Sequence, residues 1–195
     1  MQLTPDVALR KLLDEATKHE GDFANHAALV ANIPGHTVHP LPSNGPHRPR
    51  VDDYNCFTYA FELVDSVAYE IVRKQLHCIG TDAQFVTYLL SKHWLRELSF
   101  EKSTDLDIVL YSNAQGPQHA GKLLAGRVIS KWGRGLLWDH QIVEVPIIYG
   151  DVVQFYRRMR ANAAEAAFTS YLASRGIDLQ HSPRWRQYIG ANHAG

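Results

Sequence analysis

The spacing of apolar residues divides the chain into a helical first part and a strand-rich second part. In the first part, apolar side chains recur at every third or fourth position, which is the period of a helix with one buried face. This pattern predicts one helix over residues 5–18, with Thr4 as N-cap and Pro5 in its first turn, and another over residues 55–74. Thr81 and Asp82 predict the start of a third helix of about fifteen residues.

After residue 100 the period changes to short apolar runs that are separated by turn signals. Ala125 and Gly126 supply a two-residue turn between two of these runs. Helices followed by an antiparallel meander predict an α+β fold. The predicted strands are Asp107–Tyr111, His119–Leu124 and Arg127–Trp132, with Glu144–Pro146 and Val152–Tyr156 as two further candidates.

Proline density marks a change in organisation before the central part of the chain. Residues 32–50 contain five prolines, which neither a helix nor a central strand tolerates, so this stretch is predicted to be an extended arm that borders the site. The tail is predicted to be helical over 159–174 and loosely ordered over 180–195. The predicted organisation is one compact domain with three sections: an N-terminal helix and arm over 1–50, a core over 51–158, and a C-terminal helix and tail over 159–195.

Composition narrows the function classes. The chain has 195 residues, 45% of them hydrophobic, with 20 basic and 20 acidic residues. Balanced charge argues against nucleic acid and anionic membranes as partners. With two cysteines, the chain has no disulfide framework. No basic segment followed by an apolar run opens the sequence, which predicts a cytoplasmic protein and leaves export by a signal-independent machine open. Oligomeric state does not follow from the sequence.

Cys56 is the candidate nucleophile because of its position. It follows short polar residues at the predicted start of a helix, where Asp53 or Asn55 is placed to cap the helix. Free N–H groups and the positive end of the helix dipole are expected to lower the pKa of the Cys56 thiol. The alternative is a small buried apolar residue. Cys78 has no comparable setting and is interpreted as structural.

His119 is the candidate base because it opens a predicted strand. If Ala125 and Gly126 form the turn, residue 121 pairs with 130, and His119 shares a sheet face with Ser130. Ser130 then lies diagonal to His119 and is placed to orient its imidazole. A slip of one residue would put Lys131 on that face instead.

These motifs together resemble a known superfamily. The stretches Tyr54–Ala60, Asp107–Tyr111, His119–Leu123 and Arg127–Gly133 are similar in order and spacing to the papain-like NlpC-type cysteine peptidases and amidases, including the related CHAP amidases. The resemblance covers roughly residues 50–156 and is strongest to poorly characterised bacterial members. It implies that a nucleophile helix packs on a small antiparallel sheet.

The resemblance also implies roles for single residues. Cys56 matches the nucleophile and His119 the base. Ser130 occupies the third place, where the superfamily more often has His, Asn, Asp or Glu, and His140 is a second candidate for that place. Tyr54 and Asn55 are expected to shape the oxyanion site, although capping alone also explains Asn55.

No cofactor or metal is expected. A zinc site is disfavoured because its candidate ligands have irregular spacing in a proline-rich loop; these are His36, His39 and His47. Tyr149 and Gly150 are interpreted as a turn rather than as part of a site.

Three functions remain open from the sequence. The first is a thiol hydrolase that cleaves amide bonds in peptides or in peptidoglycan-like substrates. The second is an acyltransferase on the same fold, and the third is a non-catalytic binding module. If the chain is an exported toxin, an immunity or inhibitor protein is the expected partner.

Overall fold

The computed structural model describes residues 6–18, 23–42, 53–76, 80–133 and 135–192. Seven α-helices lie in these ranges: α1 (Val7–Thr17), α2 (Phe23–Ala31), α3 (Cys56–Ala60), α4 (Val67–Leu76), α5 (Ala83–Ser91), α6 (Ala161–Ser174) and α7 (Pro183–Asn192). The strands are β1 (His39–Pro40), β2 (Glu97–Leu98), β3 (Ile108–Asn113), β4 (Gly116–Leu124), β5 (Arg127–Lys131), β6 (Leu137–His140) and β7 (Val152–Tyr156). The predicted α+β class is confirmed.

The strands form one seven-stranded sheet in the order β1-β6-β5-β4-β3-β7-β2, and every neighbouring pair is antiparallel. The β4–β5 hairpin has the predicted register, because Leu124 pairs with Arg127 and Gly121 with Ser130. Ala125 and Gly126 have φ values of 50° and 76°, as a two-residue hairpin turn of this kind requires.

Both faces of the sheet are buried, which explains why β3 reads as a continuous apolar run. Ile108 and Leu110 pack into a core with the helices α3–α7, whereas Val109 and Tyr111 face the opposite side. On that second side, α1 and α2 pack around Trp132 and Trp138. No helix in the described part of the chain is long and apolar enough to cross a membrane.

The predicted helix over residues 55–74 is wrong as a single element. The chain leaves α3 at Phe61, Glu62 adopts a left-handed φ of 58°, and the Leu63 N–H bonds the Thr58 carbonyl at 3.0 Å. This helix end turns Leu63 into the core, where it is fully buried, and α4 begins separately.

The third helix is confirmed at its start and shorter than predicted at its end. Asp82 caps α5 by accepting from the Phe85 N–H at 3.0 Å. The helix stops at Ser91, and His93 has a positive φ of 56°. In α1 the N-cap is Asp6, whose carboxylate accepts from Ala8 and Leu9; Thr4 and Pro5 lie outside the described residues.

Two further predictions about regular structure are corrected. Glu144–Pro146 is not a strand, because a turn follows β6 here. The Glu144 carboxylate accepts hydrogen bonds from the Thr37 N–H and the Thr37 hydroxyl, which hold this turn in place. The tail from 183 to 192 is helical, since Trp185 is buried against the core and the Tyr188 hydroxyl donates to Glu165. The strands β3, β4, β5 and β7 and the helix α6 are confirmed.

The proline-rich arm is described only in part. His39–Pro40 is an edge strand that pairs with β6, a position that tolerates proline. Residues 43–52 lie outside the described residues, and so does Cys78.

Candidate functional site

Cys56 is the first residue of α3, and Asn55 caps this helix. Asn55 Oδ1 accepts hydrogen bonds from the Thr58 N–H at 2.9 Å and from the Thr58 hydroxyl at 3.1 Å. The Asn55 side-chain amide donates to the Thr81 carbonyl. The predicted cap is therefore confirmed, and the role of Asn55 in an oxyanion site stays a prediction.

The thiol of Cys56 lies where β4 and β5 separate. The ladder between these strands ends at the pair Gly121–Ser130. The N–H of Ala120, the next residue of β4, hydrogen-bonds the Cys56 sulfur. The thiol therefore lies beside the backbone of the residue that follows His119 in the sequence.

Burial controls the ionisation of this thiol. It raises the pKa of Cys56 to about 11, while the N–H groups of Ala120 and Phe57 and the charge of Lys131 act in the opposite direction. The expectation of a lowered pKa is wrong for this structure, because Cys56 is only 6% exposed and α3 has only five residues. At neutral pH the sulfur is a thiol rather than a thiolate.

His119 is fully buried, and its imidazole is held between aromatic rings. Its centroid lies 3.8 Å from that of Tyr149, with the planes 9° apart, and 5.7 Å from that of Tyr111. Neither ring nitrogen has a hydrogen-bond partner among the described residues, Cys56 included. Burial, and next the charge of His140, lower the pKa of His119 well below its usual 6.5, so the imidazole is neutral at physiological pH.

Ser130 and His140 bond each other and not His119. His140 Nε2 lies 2.8 Å from Ser130 Oγ, which also accepts from Trp132 Nε1 at 3.1 Å. His140 Nδ1 lies 2.7 Å from the Gln141 carbonyl, and burial lowers the pKa of His140 to about 4. The predicted orienting bond to His119 is thus not formed. Ser130 pairs with Gly121, two residues further along β4, and its hydroxyl meets His140 instead.

Tyr54 and Lys131 lie on the Cys56 side of the sheet. The buried Lys131 Nζ lies 4.5 Å from the centroid of the half-buried Tyr54 ring and donates to the Gly135 carbonyl. Strand alternation thus separates Lys131 from Ser130, as the predicted register requires. No role was predicted for Lys131 from the sequence, although its charge acts on the Cys56 thiol.

Tyr149 is the site residue that sequence reasoning missed. The chain does turn here, because Tyr149 ends a 3₁₀-helix (Ile147–Tyr149) and Gly150 follows with a φ of 94°. The Tyr149 oxygen accepts from the Gly133 N–H, and the side chain lies within electrostatic range of Cys56. Burial raises the pKa of Tyr149 well above 10. No periodic pattern marks such a residue, since its partner is distant in the sequence.

Tyr149 also lines a cavity of about 260 Å³. It lies between the C-terminal half of α1, the turn after β5 and the segment 146–149, and Trp132 and Ile148 contribute to its wall. Neither Cys56 nor His119 lines it. Tyr149 is therefore the residue that contacts both the cavity and the imidazole of His119.

The structure also places two of the three histidines considered as zinc ligands. His36 contacts the Val30 carbonyl and the Val38 N–H through its two ring nitrogens, and His39 lies 3.2 Å from the Asp139 carboxylate. His47 lies outside the described residues. Within the described ranges, no group of three or more His, Cys, Asp or Glu side chains is arranged to hold a metal ion.

Comparison with known families gives one match. Residues 47–157 match the model of the family described as "Domain of unknown function (DUF7689)". The chain belongs to this family. The DUF7689 region holds Cys56, His119, Ser130 and Tyr149, whereas α1, α2, α6 and α7 lie outside it. No curated protein and no solved structure matches the chain.

Proposed function

We propose that the chain is a papain-like thiol hydrolase that cleaves amide bonds as a peptidase or amidase, with Cys56 as nucleophile and His119 as general base. The observation that carries this proposal is a fully buried imidazole whose two nitrogens have no partner in the described part of the chain, next to Ala120, whose N–H bonds the thiol. Leaving a buried polar group unpaired costs roughly 1–3 kcal/mol, so its presence calls for an explanation. Strongly shifted pKa values cluster at catalytic sites.

The protonation states support general-base catalysis. A neutral thiol and a neutral imidazole require that the proton passes from Cys56 Sγ to His119 as the sulfur attacks the carbonyl carbon. The C–N bond then breaks, and the amine leaves with that proton. Water attacks the thioester carbonyl carbon while His119 takes a proton from the water. The C–S bond then breaks, the carboxylic acid leaves, and the sulfur regains its proton from His119. The imidazole must first turn towards the sulfur, because no hydrogen bond joins His119 to Cys56 in this structure.

The resemblance to NlpC-type enzymes supports peptides, including peptidoglycan peptides, as the substrate class. An acyltransferase would follow the same steps with an amine or lipid in place of water, and only acceptor tests separate the two. If the chain is cytoplasmic, its substrates are cytoplasmic peptides. If it is an exported toxin, its expected partner is an immunity or inhibitor protein.

A non-catalytic binding module is the second candidate. It is favoured by the pKa of about 11 that burial gives the Cys56 thiol, since such a thiol carries little nucleophilic thiolate at neutral pH. In that case His119 and Cys56 would be packed core residues of the DUF7689 region.

The test is formation of an acyl-enzyme on Cys56. The wild type, Cys56→Ala and His119→Ala are mixed with p-nitrophenyl acetate, quenched in acid and mapped by peptide mass spectrometry. We expect acetyl-Cys56 in the wild type and a rate roughly 100-fold lower in His119→Ala, the scale of general-base catalysis. Cys78 is the internal reference thiol. An acetylation rate at Cys56 that does not depend on His119, or the absence of acetylation, would support the binding module.

A further inference from the structure

Arg10 of α1 holds the segment that carries Tyr149. Its Nε donates to the Val145 carbonyl at 2.9 Å, and its Nη2 donates to the carbonyls of Pro146, at 3.3 Å, and Gly150. Arg10 is only 2% exposed. One guanidinium from outside the DUF7689 region therefore binds carbonyls on both sides of the 3₁₀-helix Ile147–Tyr149.

The same segment also packs against the sheet, at Gly150. A Cβ at Gly150 would lie 2.1 Å from the Ser112 carbonyl oxygen, so only glycine permits this approach to β3. Between these two attachments, Tyr149 points inward onto His119, and Ile148 is 62% exposed. The inner and outer sides of one short segment thus face the imidazole and the solvent.

We propose that Tyr149 is a gate between the cavity and His119, that Arg10 is the latch that holds it closed, and that the cavity admits a peptide segment with an apolar side chain. The proposal rests on the proposed hydrolase function, because it describes how a substrate reaches that site. With the gate closed, the stacked ring occupies one face of the imidazole. With the gate open, the cavity and the His119–Cys56 site become continuous.

The cavity wall supports the apolar class of substrate. Trp132, Pro146 and Ile148 make part of the wall apolar, while Asp14, Lys18 and His26 supply its charged and titratable groups. With one carboxylate and one ammonium group in the wall, charge favours neither sign, so the apolar part sets the substrate class. The volume of about 260 Å³ is slightly below the roughly 300–1,000 Å³ usual for ligand pockets, which suits one side chain and its backbone.

Four variants distinguish the loss of the hydrogen bonds that Arg10 makes to the Tyr149 segment from a general destabilisation of α1. Tyr149→Ala removes the gate, and Arg10→Met removes all donors while keeping most of the side-chain length. Arg10→Lys keeps the charge but loses the planar fork that binds several carbonyls at once. Leu13→Ala is the matched control, because Leu13 is fully buried in the same helix and its side chain has no hydrogen-bond donor.

Two measurements on the full chain report whether Tyr149 covers the candidate site. Nitrogen-15 NMR of labelled histidine gives the pKa of His119 without any need for catalysis. The second is the site-resolved alkylation rate of Cys56 by benzyloxycarbonyl-phenylalanyl chloromethyl ketone, with the aspartyl analogue as control probe. Urea unfolding of each variant confirms that the measured population is folded.

We expect Tyr149→Ala and Arg10→Met to raise the His119 pKa towards 6.5 and to increase Cys56 alkylation roughly tenfold or more, in proportion to the open population. Arg10→Lys should fall between Arg10→Met and the wild type. Leu13→Ala should lower stability without changing either readout, and the aspartyl probe should react more slowly than the phenylalanyl probe in every variant.

The two proposals fail in different ways. If the His119 pKa rises in Tyr149→Ala but no acyl-enzyme ever forms on Cys56, the gate stands and the hydrolase does not. If the wild type forms the acyl-enzyme and all variants do so equally fast, the gate is overturned. An equal effect of Leu13→Ala and Arg10→Met overturns the latch, and equal rates with both probes overturn the apolar substrate class.

Discussion

The imidazole of His119 lies parallel to the phenol ring of Tyr149, with 3.8 Å between the ring centroids and 9° between the planes. A stack this close leaves no space for a substrate between the two rings. It also keeps water from the imidazole, which is why its pKa falls well below 6.5. Under the proposed gate this arrangement is the closed form of the candidate site.

His140 makes the fold sensitive to acid. Its pKa in the folded chain is about 4, against 6.5 when it is solvated, so below pH 6.5 the unfolded chain binds a proton that the folded chain does not. This contribution to stability is complete above pH 6.5 and is lost as the pH falls towards 4. Its size is roughly 3 kcal/mol, from about 1.4 kcal/mol per pKa unit.

The measurement is urea unfolding at pH 7.5 and pH 4.5 in the wild type and in His140→Gln. Glutamine keeps a hydrogen-bonding group near Ser130 but does not titrate. We expect the loss of unfolding free energy between the two pH values to be smaller in the variant by roughly 2–3 kcal/mol. Equal losses in both proteins would show that His140 is not buried in the neutral form.

Cys56 is predicted to react slowly with small electrophiles at neutral pH. Since burial raises its pKa to about 11, the thiolate fraction rises about tenfold per pH unit up to that value. Site-resolved alkylation by iodoacetamide between pH 7 and pH 10.5 should follow this rise without a plateau. In urea-unfolded chain the same residue should level off near pH 8.5, the usual value for a free cysteine. A plateau near pH 7 in the folded protein would contradict the closed site.

Gly121 is required by the packing of the candidate site's hairpin. A Cβ there would lie 2.6 Å from Val128 Cγ1 and 2.8 Å from Ser130 Cβ, so neither neighbour has room without a shift of β5. We expect Gly121→Ala to lower the unfolding free energy by about 1–3 kcal/mol. Gly190→Ala is the control, because nothing lies within 4 Å of that position and alanine favours the helix by up to about 1 kcal/mol.

Ser130 is predicted to contribute to the stability of the fold and not to the orientation of His119, the candidate base. Ser130→Ala removes the hydroxyl that bonds His140 and the Trp132 indole, and the buried groups left unpaired cost about 1–3 kcal/mol. Because Ser130 does not bond His119, the rate of Cys56 acetylation by p-nitrophenyl acetate should not change in the folded fraction. A large fall in that rate at full folding would restore Ser130 as the third catalytic residue.

The local features of this fold follow from the sequence, because neighbouring residues decide them. The register of the β4–β5 hairpin was predictable from Ala125 and Gly126, since a two-residue turn fixes which residues pair. The caps of α3 and α5 were predictable from Asn55 and Asp82, because a cap depends on hydrogen bonds to the first turn of the helix that follows it. Cys56 and His119 were also recognisable as candidate residues from their places on these elements, and their pairing stays a prediction.

Tertiary packing decided what local patterns do not encode. Residues 183–192 are helical because Trp185 is buried against the core. Arg10, a charged residue on the buried face of α1, donates to carbonyls of Val145 and Gly150, which are 135 and 140 positions away in the sequence. The Cys56 pKa depends on which groups exclude water from the sulfur, and burial outweighed the effect of the helix start that the sequence predicted there. The stack of Tyr149 on His119 joins segments with no shared periodicity. Sequence therefore supplied the elements and the candidate residues, whereas long-range contacts set their protonation and their accessibility.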